Sequence, residues 1–476
     1  MRYNRLYKDN NYLAPTNYTQ QLSKYVVDLK YEDIPSDVIE RAKMIMLQTL
    51  GVSLAAKELP MAKKVRQIGM EANNGEGGST TAWITGEKVS PANAALIAGT
   101  LSDMLDWEDC SWTGHPSAGI IPVSWIIAEE KQKSGKDMLT AIVTAYEVYQ
   151  RIAMAVQPSD EEWKSQGWGL TSWQIFGGII AAAKLYGFDE RKVDQSIGMG
   201  CECSTIPSSY HATTMSDFYH YEHGYRARDS VLIVKSVEKG IYNQRDALDC
   251  PICYTSAMCE EPDLGWFTKD LGKRYLIMET LLKHWPANMW VQASTEAVHD
   301  IVTENNIKPE DIKEIIVEPG NGDRMWAPDE GFSSLTHAQF STPFVISAML
   351  YKHTPGAHWF TDENMKDPKI IEMTKRIKAG PSPMDYPLKG FSLFREGKYP
   401  MKHITLTTNN GKSYEKSLDC HPGHPANMMS RDEFVERFRI QASPVLKGER
   451  LEEAISLLTN IETCDNISNL SYLLCE

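Results

Sequence analysis

The chain has 476 residues, with 49 Lys and Arg against 63 Asp and Glu and a formal net charge of −14. It therefore lacks the positive field that a phosphate backbone selects, which excludes nucleic acid as an expected partner. Apolar residues make up 42% and charged residues 24%, which excludes extended disorder and fibrous repeats and fits a folded chain of two or three domains.

In chain order, Met1 to Asn10 carries basic residues with no apolar run behind them, so no secretory signal is expected and the chain is placed in the cytoplasm. Val38, Ala42, Ile45, Met46, Leu50 and Leu54 recur at helical spacing after Pro35-Ser36 and predict an amphipathic core helix over 36–56. Similar patterns predict helices over 91–104, 119–130, 137–156, 174–187, 189–199, 230–239 and 275–282. The longest nearly uncharged apolar runs, 118–128 and 175–183, are too short to cross a bilayer and read as buried helices. Past Lys283 the pattern changes, and 312–318 and 403–408 are short β-branched runs. Asn409-Asn410-Gly411 marks a hairpin after the second of them. Helical stretches at 342–351 and 367–377 lie between these strands, and Ser430-Arg-Asp-Glu433 reads as a capping box opening a last helical region. The predicted class is mainly α with an α+β insert: helical residues 1–272, an α+β module over 273–417, and a helical return over 418–476.

Nine cysteines without an export signal predict reduced thiols. Cys250-Pro-Ile-Cys253, with Cys259 and the upstream Cys201-Glu-Cys203, lacks a clean second pair for zinc, so no metal is expected there.

Three segments could carry chemistry. Asp103, Asp106, Glu108 and Asp109 lead into a Gly/Pro-punctuated loop with His115, and carboxylates beside an imidazole orient it for acid/base work. The pattern fits an acidic helix end with a surface histidine equally well. In Lys283-His284-Trp285-Pro286-Ala-Asn288-Met-Trp290-Val-Gln292 a lysine closes an apolar helix before two indoles. It could hold a carboxylate, or it could simply meet the helix macrodipole. Tyr210-His211 and Tyr219 to Arg226 are dense in His and Tyr and read as a hydrogen-bonded pocket wall. The sequence has no phosphate-binding G-x-x-x-x-G-K-[ST], no G-x-S-x-G elbow and no complete G-x-G-x-x-G, since Gly198-Met-Gly200 stops short.

Ala94 to Thr100, Asp106-Trp-Glu-Asp109 and His115-Pro-Ser, together with Thr171 and the small-residue run at 177–187, form one set of motifs. Lys283-x-Trp-Pro286, Gln339-Phe-Ser-Thr-Pro-Phe344 and Gly423-His-Pro-Ala-Asn427-Met-Met-Ser430 follow. Read together, these segments resemble the MmgE/PrpD family over most of the chain. The resemblance implies a large all-helical domain built from both ends of the chain, a smaller α+β lid, and a homodimer with its active site in the cleft between domain and lid. It also implies a lyase or isomerase that needs no organic cofactor and abstracts a proton next to a carboxylate of a small organic acid, with dehydration, decarboxylation or epimerisation following; no metal is expected at the site. Asp106, His115 and Lys283 fall on the family's active-site positions.

Departures from the family pattern bear on substrate. Gly167-Trp168-Gly169-Leu170-Thr171 lacks the usual histidine, Tyr219 stands for a lysine, and Asn288, Gln292 and Phe344 replace Cys or His, His and Tyr. Cys110 replaces a Thr and Asp103 a His. The lost cations disfavour a tricarboxylate. Trp107, Trp112, Trp168, Trp173, Trp285 and Trp290, half of the 12 tryptophans, suggest an aromatic-lined pocket. Expected roles are proton transfer by His115 supported by Asp106 or Asp109, a carboxylate or enolate contact from Lys283, and proton donation by Tyr219. Asp109, Cys110, Trp112, Trp168, Thr171, His223, Trp285, Gln292 and Phe344 are the expected substrate contacts. The alternative is a catalytically silent member that binds a small ligand.

Overall fold

The computed structural model describes all residues except 1–6, 9–10, 13–15, 74–76, 112, 160–161, 163–171, 205–214, 244, 251–253, 321–323, 383–397 and 399. Helices α1 (Tyr18–Asp28), α2 (Ser36–Ala55), α3 (Pro60–Glu71), α4 (Pro91–Asp103), α5 (Pro116–Glu130), α6 (Gly135–Ala155), α7 (Ile175–Tyr186), α8 (Glu190–Cys203) and α9 (Phe218–Glu238) build the helical body. Among the described residues no helix is long and apolar enough to cross a membrane.

Local chemistry sets the ends. Ser134 and Asp137 form a reciprocal capping box at the start of α6, Asp189 accepts from Lys192 N at 2.9 Å to open α8, and Gly187 at φ 68° closes α7 in the left-handed region. The expected amphipathic helix at 36–56 is buried on nearly every side in α2. The reason lies at the other end of the chain. Helices α13 (Arg431–Ala442), opened by the expected Ser430/Glu433 capping box, and α14 (Glu449–Thr459) return to pack on α2, and Gly51 lets Phe438 and Gln441 lie against its backbone. The fold is mainly α, with a small α+β part.

Helix α9 begins at Phe218 rather than near 230. The extra turns carry His, Tyr, Glu and Gly, so they show no apolar periodicity, yet Tyr219, His220, Glu222, His223 and Gly224 are buried. Helices α4 and α9 cross closely at two glycines. A Cβ on Gly99 would stand 2.9 Å from Ala227 Cβ, and one on Gly224 would strike Thr100 Oγ1 and the Leu96 carbonyl. Gly224→Ala is therefore expected to destabilise the protein by about 1–3 kcal/mol through overpacking. Gly119→Ala, whose new methyl would meet nothing closer than 3.5 Å, is expected to be neutral or stabilising by up to ~1 kcal/mol as an ordinary helix position. Urea midpoints of the two variants moving in the same direction would contradict this account of the crossing.

The segment at 275–282 does not form the expected α-helix. Leu276–Glu279 is a 3-10 turn, followed by β2 (Leu281–Leu282), which pairs antiparallel with β1 (Asp109–Cys110). Buried side chains capture its backbone: Leu276 N donates to Glu147 Oε1 at 2.5 Å, Gln150 Nε2 donates to Leu276 O at 3.2 Å, and Arg41 donates to the Thr280 carbonyl.

The α+β part holds α10 (Gln292–Asn305), α11 (Thr342–Lys352), α12 (Pro368–Thr374) and a four-stranded sheet. Its strands are β3 (Ile312–Glu318), β4 (Ile377–Ala379), β5 (Lys402–Thr408) and β6 (Ser413–Leu418), in the order β6-β5-β3-β4. Strands β3 and β4 run parallel, and the other pairs are antiparallel. The expected hairpin joins β5 to β6, with Thr407 opposite Ser413 and Gly411 at φ 86°. Ile404 and Leu406 alternate inward with Ile315 and Val317, and α10 packs on the sheet. The segment expected to be helical to 377 ends at Thr374, and Ile377 instead pairs with Ile315.

Cys250 is disulfide-bonded, which corrects the expectation of reduced thiols throughout. The other described cysteines, at 110, 201, 203, 259, 420, 464 and 475, are free.

Candidate active site

Between the end of α4 and the start of α5 the chain makes a tight excursion that turns three carboxylates inward. Asp103 is the last residue of α4. Asp106 N then donates to Asp103 O at 2.8 Å, and Asp106 adopts φ 49°, a left-handed conformation that Asp tolerates better than bulkier residues. Glu108 leads into β1, and paired backbone hydrogen bonds between Ser111 and Gly114 bring His115 directly ahead of Pro116, the first residue of α5. Proline at that position needs no amide hydrogen and fixes the helix entry. The β1–β2 pairing sets Lys283 beside Glu108, with Lys283 N donating to Glu108 O at 3.1 Å.

The side chains then converge. His115 Nδ1 is 2.6 Å from Glu108 Oε1 and 2.8 Å from Asp103 Oδ1, and its Nε2 is 3.0 Å from the Tyr219 hydroxyl. Lys283 Nζ donates to Asp106 Oδ1 and, at 2.5 Å, to Glu108 Oε1, and it stands 3.4 Å from His115 Nδ1. His220 Nδ1 meets Asp103 Oδ2 at 2.6 Å and its Nε2 meets Gln339 Oε1 at 2.8 Å. Gln339 Nε2 donates to Met104 O at 3.1 Å, so its oxygen faces His220 as an acceptor. Two acceptors on one imidazole require both ring nitrogens to carry hydrogen, so His220 is an imidazolium. All these residues are buried, Tyr219 the least at 7% exposure.

The electrostatics follow from this packing. Burial and Lys283 both oppose charge on His115, but Asp103 and Glu108 outweigh them and raise it to about 10. His220 is raised too, against burial, by Asp103. Burial works against the Asp103 carboxylate, yet His223 and His115 hold it well below the ordinary range. Burial raises Glu108 to about 7 against the pull of Lys283, lowers His223 to about 4, and pushes the Tyr219 phenol well up. Lys283 is raised despite its burial, by Asp106 and Glu108. The result is a desolvated cluster in which Asp103, Asp106 and Glu108 face His115, His220 and Lys283, with charge balanced inside the protein.

The structure brings together the expected Asp106, His115, Tyr219, His223 and Lys283, with His223 Nε2 3.3 Å from Asp103 Oδ1. Asp106 pairs with Lys283 and reaches His115 only at 3.9 Å. Asp109 is occupied elsewhere, accepting from Ser117 N at 3.0 Å and the Tyr146 hydroxyl at 2.6 Å, so it anchors the first turn of α5. The carboxylates on His115 are thus Glu108 and Asp103, where Asp106 or Asp109 was expected. Sequence reasoning counted Asp103 and Glu108 among the carboxylates near His115 and put His220 in a hydrogen-bonded wall, but it named none of them, nor Gln339, among the site residues. The available signal was Asp103 standing where a histidine is usual, facing the His/Tyr-rich start of α9.

Cys110 packs against Met289, with Sγ to Sδ 3.1 Å, in a small group with Met154, Leu281 and Trp290. Three expected substrate contacts have other partners. Gln292 accepts from the His284 and Trp285 amides at 2.9 Å each and donates to Ala287 O at 2.8 Å, holding that loop. Trp285 stacks on Trp359 and donates to Glu296 at 2.8 Å. Phe344 lies among Phe332 and Phe360 inside the α+β part. Trp107 and Trp173 are buried packing groups that donate to the His284 and Thr113 carbonyls at 2.8 and 2.7 Å. Trp112, Trp168 and Thr171 lie outside the described residues, as do Tyr210 and His211.

Donor atoms of Asp103, His115 and His223, and of Asp103, Asp106, Glu108 and His115, lie within 4.8 Å of one another, a spacing a divalent cation could use. In the second group the Lys283 ammonium already supplies the positive charge.

Comparison with known proteins matches both halves of this architecture. Residues 20–266 match the MmgE/PrpD N-terminal domain and residues 285–462 the MmgE/PrpD C-terminal domain. Similar curated proteins include the cis-aconitate decarboxylases of Homo sapiens, 22% identical over 96% of this chain and 94% of theirs, and of Mus musculus, 23% identical over 96% and 93%. That of Aspergillus terreus is 21% identical over 97% and 96%. With both domains matched across most of its length, the chain belongs to the MmgE/PrpD family.

Proposed function

We propose that the chain is a lyase or isomerase of small organic acids, working without an organic cofactor, in which His115 moves a proton at the carbon beside a substrate carboxylate. The observation that carries this reading is the setting of His115: carboxylates on Nδ1, the Tyr219 hydroxyl on Nε2, and burial around all of them. Carboxylates that hold the imidazolium make it a stable proton reservoir, and Tyr219 is the route by which its Nε2 proton leaves.

Of the family's reactions, decarboxylation fits this resting state best. The bond to the departing carboxylate breaks, CO2 leaves, and the electron pair stays on carbon. Tyr219 then protonates that carbon and is reprotonated from His115 Nε2, so one proton is consumed overall. The curated relatives being named as cis-aconitate decarboxylases supports the same choice. Dehydration and epimerisation use the same proton path, in reverse for the abstraction step.

Proton NMR in D2O with cis-aconitate, citrate, 2-methylcitrate, aspartate-derived imines and aryl-bearing acids tests the proposal. Deuterium entering a carbon-bound position of one of them is the expected result, and silence across the panel moves the assignment to a ligand-binding member. The pH dependence has a defined sign. The active imidazolium is lost as pH rises through about 10, and the Glu108 carboxylate that holds it is lost as pH falls through about 7. The rate of exchange should rise through the lower value and fall through the upper. A rate still climbing at the alkaline end would assign His115 as a base that must be neutral.

A further inference from the structure

Two consecutive residues of the α+β part reach two consecutive residues of α9. Gln339 and Phe340 end the short helical turn Leu335–Phe340, which Ser334 caps by accepting from His337 N at 3.2 Å. Phe340 lies edge-on to Tyr219, with ring centres 5.1 Å apart, and Gln339 meets His220. Gln339 is fully buried and is held at three points. Its Nε2 donates to Met104 O at 3.1 Å, its Oε1 lies 2.8 Å from His220 Nε2, and its backbone carbonyl accepts from Asn288 N at 3.1 Å. The side chain thus bridges the end of α4 and the start of α9, while Asn288 ties its backbone to the loop that follows Lys283.

From Gln339 the contacts run on to the reacting imidazole. His220 Nδ1 donates to Asp103 Oδ2 at 2.6 Å, and Asp103 Oδ1 lies 2.8 Å from His115 Nδ1. Asp103 therefore divides its charge between two imidazoles, and how firmly it holds the His115 proton depends on the charge of His220. A neutral His220 would keep one ring hydrogen for Asp103 and turn a lone pair on the Gln339 oxygen, acceptor against acceptor. Flipping the Gln339 amide gives no relief, because its oxygen would then face the Met104 carbonyl. The groups facing His220 are Asp103 and Asp106 from the α4 side, Tyr219 and His223 from its own helix, and Gln339 from the α+β part. The acids attract the second ring proton, and Gln339 gives it a hydrogen-bond partner.

We propose that Gln339 is a positioning residue: it holds His220 as the imidazolium, so that Asp103 is partly neutralised from that side and leaves His115 a proton it can give up. The inference rests on the reading above in taking His115 as the proton carrier. It puts control of that proton in the α+β part, acting through His220 and Asp103.

Nitrogen-15 NMR of the histidine rings across a pH series, on the full chain, tests it without needing turnover. Gln339→Met, close in size but without the acceptor, should lower the proton affinity of His220 by about 10- to 100-fold, the worth of a hydrogen bond to a charged group. As His220 turns neutral, Asp103 should hold the His115 proton more tightly, and the His115 midpoint should move up. Gln339→Glu, whose carboxyl group keeps an acceptor for Nε2, should leave His220 charged. In the exchange assay Gln339→Met should lower kcat about tenfold, the effect of a tenfold change in the donor's acidity, while KM stays within about twofold. That loss should shrink as pH falls through the variant's His220 midpoint, where the imidazolium returns, and Gln339→Glu should recover most of it. Unchanged His220 and His115 midpoints in Gln339→Met, or a kcat loss of one size at every pH that Gln339→Glu shares, would make the glutamine a packing group, overturning the proposal and leaving the function standing. If the unmodified protein exchanges protons on no acid, the function fails instead, and the two midpoints alone decide whether Gln339 sets the charge of His220.

Discussion

Replacing His115 by glutamine is expected to lower the rate of proton exchange by about 100- to 10,000-fold, the range a positioned acid/base contributes, while the folded structure survives. Glutamine is close in size and can donate to Glu108 or Asp103 through its amide, so the two carboxylates that lie 2.6 and 2.8 Å from Nδ1 keep a partner. It cannot carry a proton to the Tyr219 hydroxyl, which lies 3.0 Å from Nε2. Tyr219→Phe is the informative companion, because it cuts the same path one step later without touching the carboxylates. If both variants lose exchange and both still unfold cooperatively at the midpoint of the unmodified protein, the path from His115 through Tyr219 carries the proton. Full exchange in His115→Gln would remove the histidine from the mechanism and leave Lys283 or Tyr219 as the proton donor.

The sequence made some of this legible and hid the rest for identifiable reasons. Helical periodicity located α4, α5, α6 and α7 to within a few residues, because their buried faces are apolar. It failed at the start of α9, where the buried face consists of Tyr219, His220, Glu222 and His223, which read as polar and hence as outward-facing. That miss concealed the partner of Asp103, since His220 reaches Asp103 only when α9 has already begun and when Gly99 and Gly224 let it approach α4. The segment before Lys283 misled in the opposite way, being apolar enough for a helix while its backbone is claimed by Glu147, Gln150 and Arg41 from helices distant in sequence. Asp106, His115 and Lys283 were legible through family motifs. Glu108 was not, because nothing local distinguishes it from the neighbouring acids until the β1–β2 pairing sets it beside the lysine.

Lys283→Met is expected to destabilise the protein by about 3–5 kcal/mol, the cost of removing one partner from a buried ion pair. The side chain is fully buried and its ammonium bonds both Asp106 and Glu108, so the variant leaves two carboxylates in a desolvated pocket with one fewer cation. Those groups answer by taking up protons, as unpaired buried acids do. Their folded-state values therefore rise above the unfolded ones, and whatever stability protonation restores is present at low pH and lost as pH rises through the raised value. The deficit relative to the unmodified protein should accordingly be larger at pH 8 than at pH 6, read as urea midpoints at unchanged slope. The double variant Lys283→Met with Glu108→Gln should recover part of the loss, because it deletes one of the stranded charges. A Lys283→Met protein as stable as the unmodified one at both pH values would mean that Asp106 and Glu108 already share protons in the native state. In that case Lys283 would carry charge free to meet a substrate.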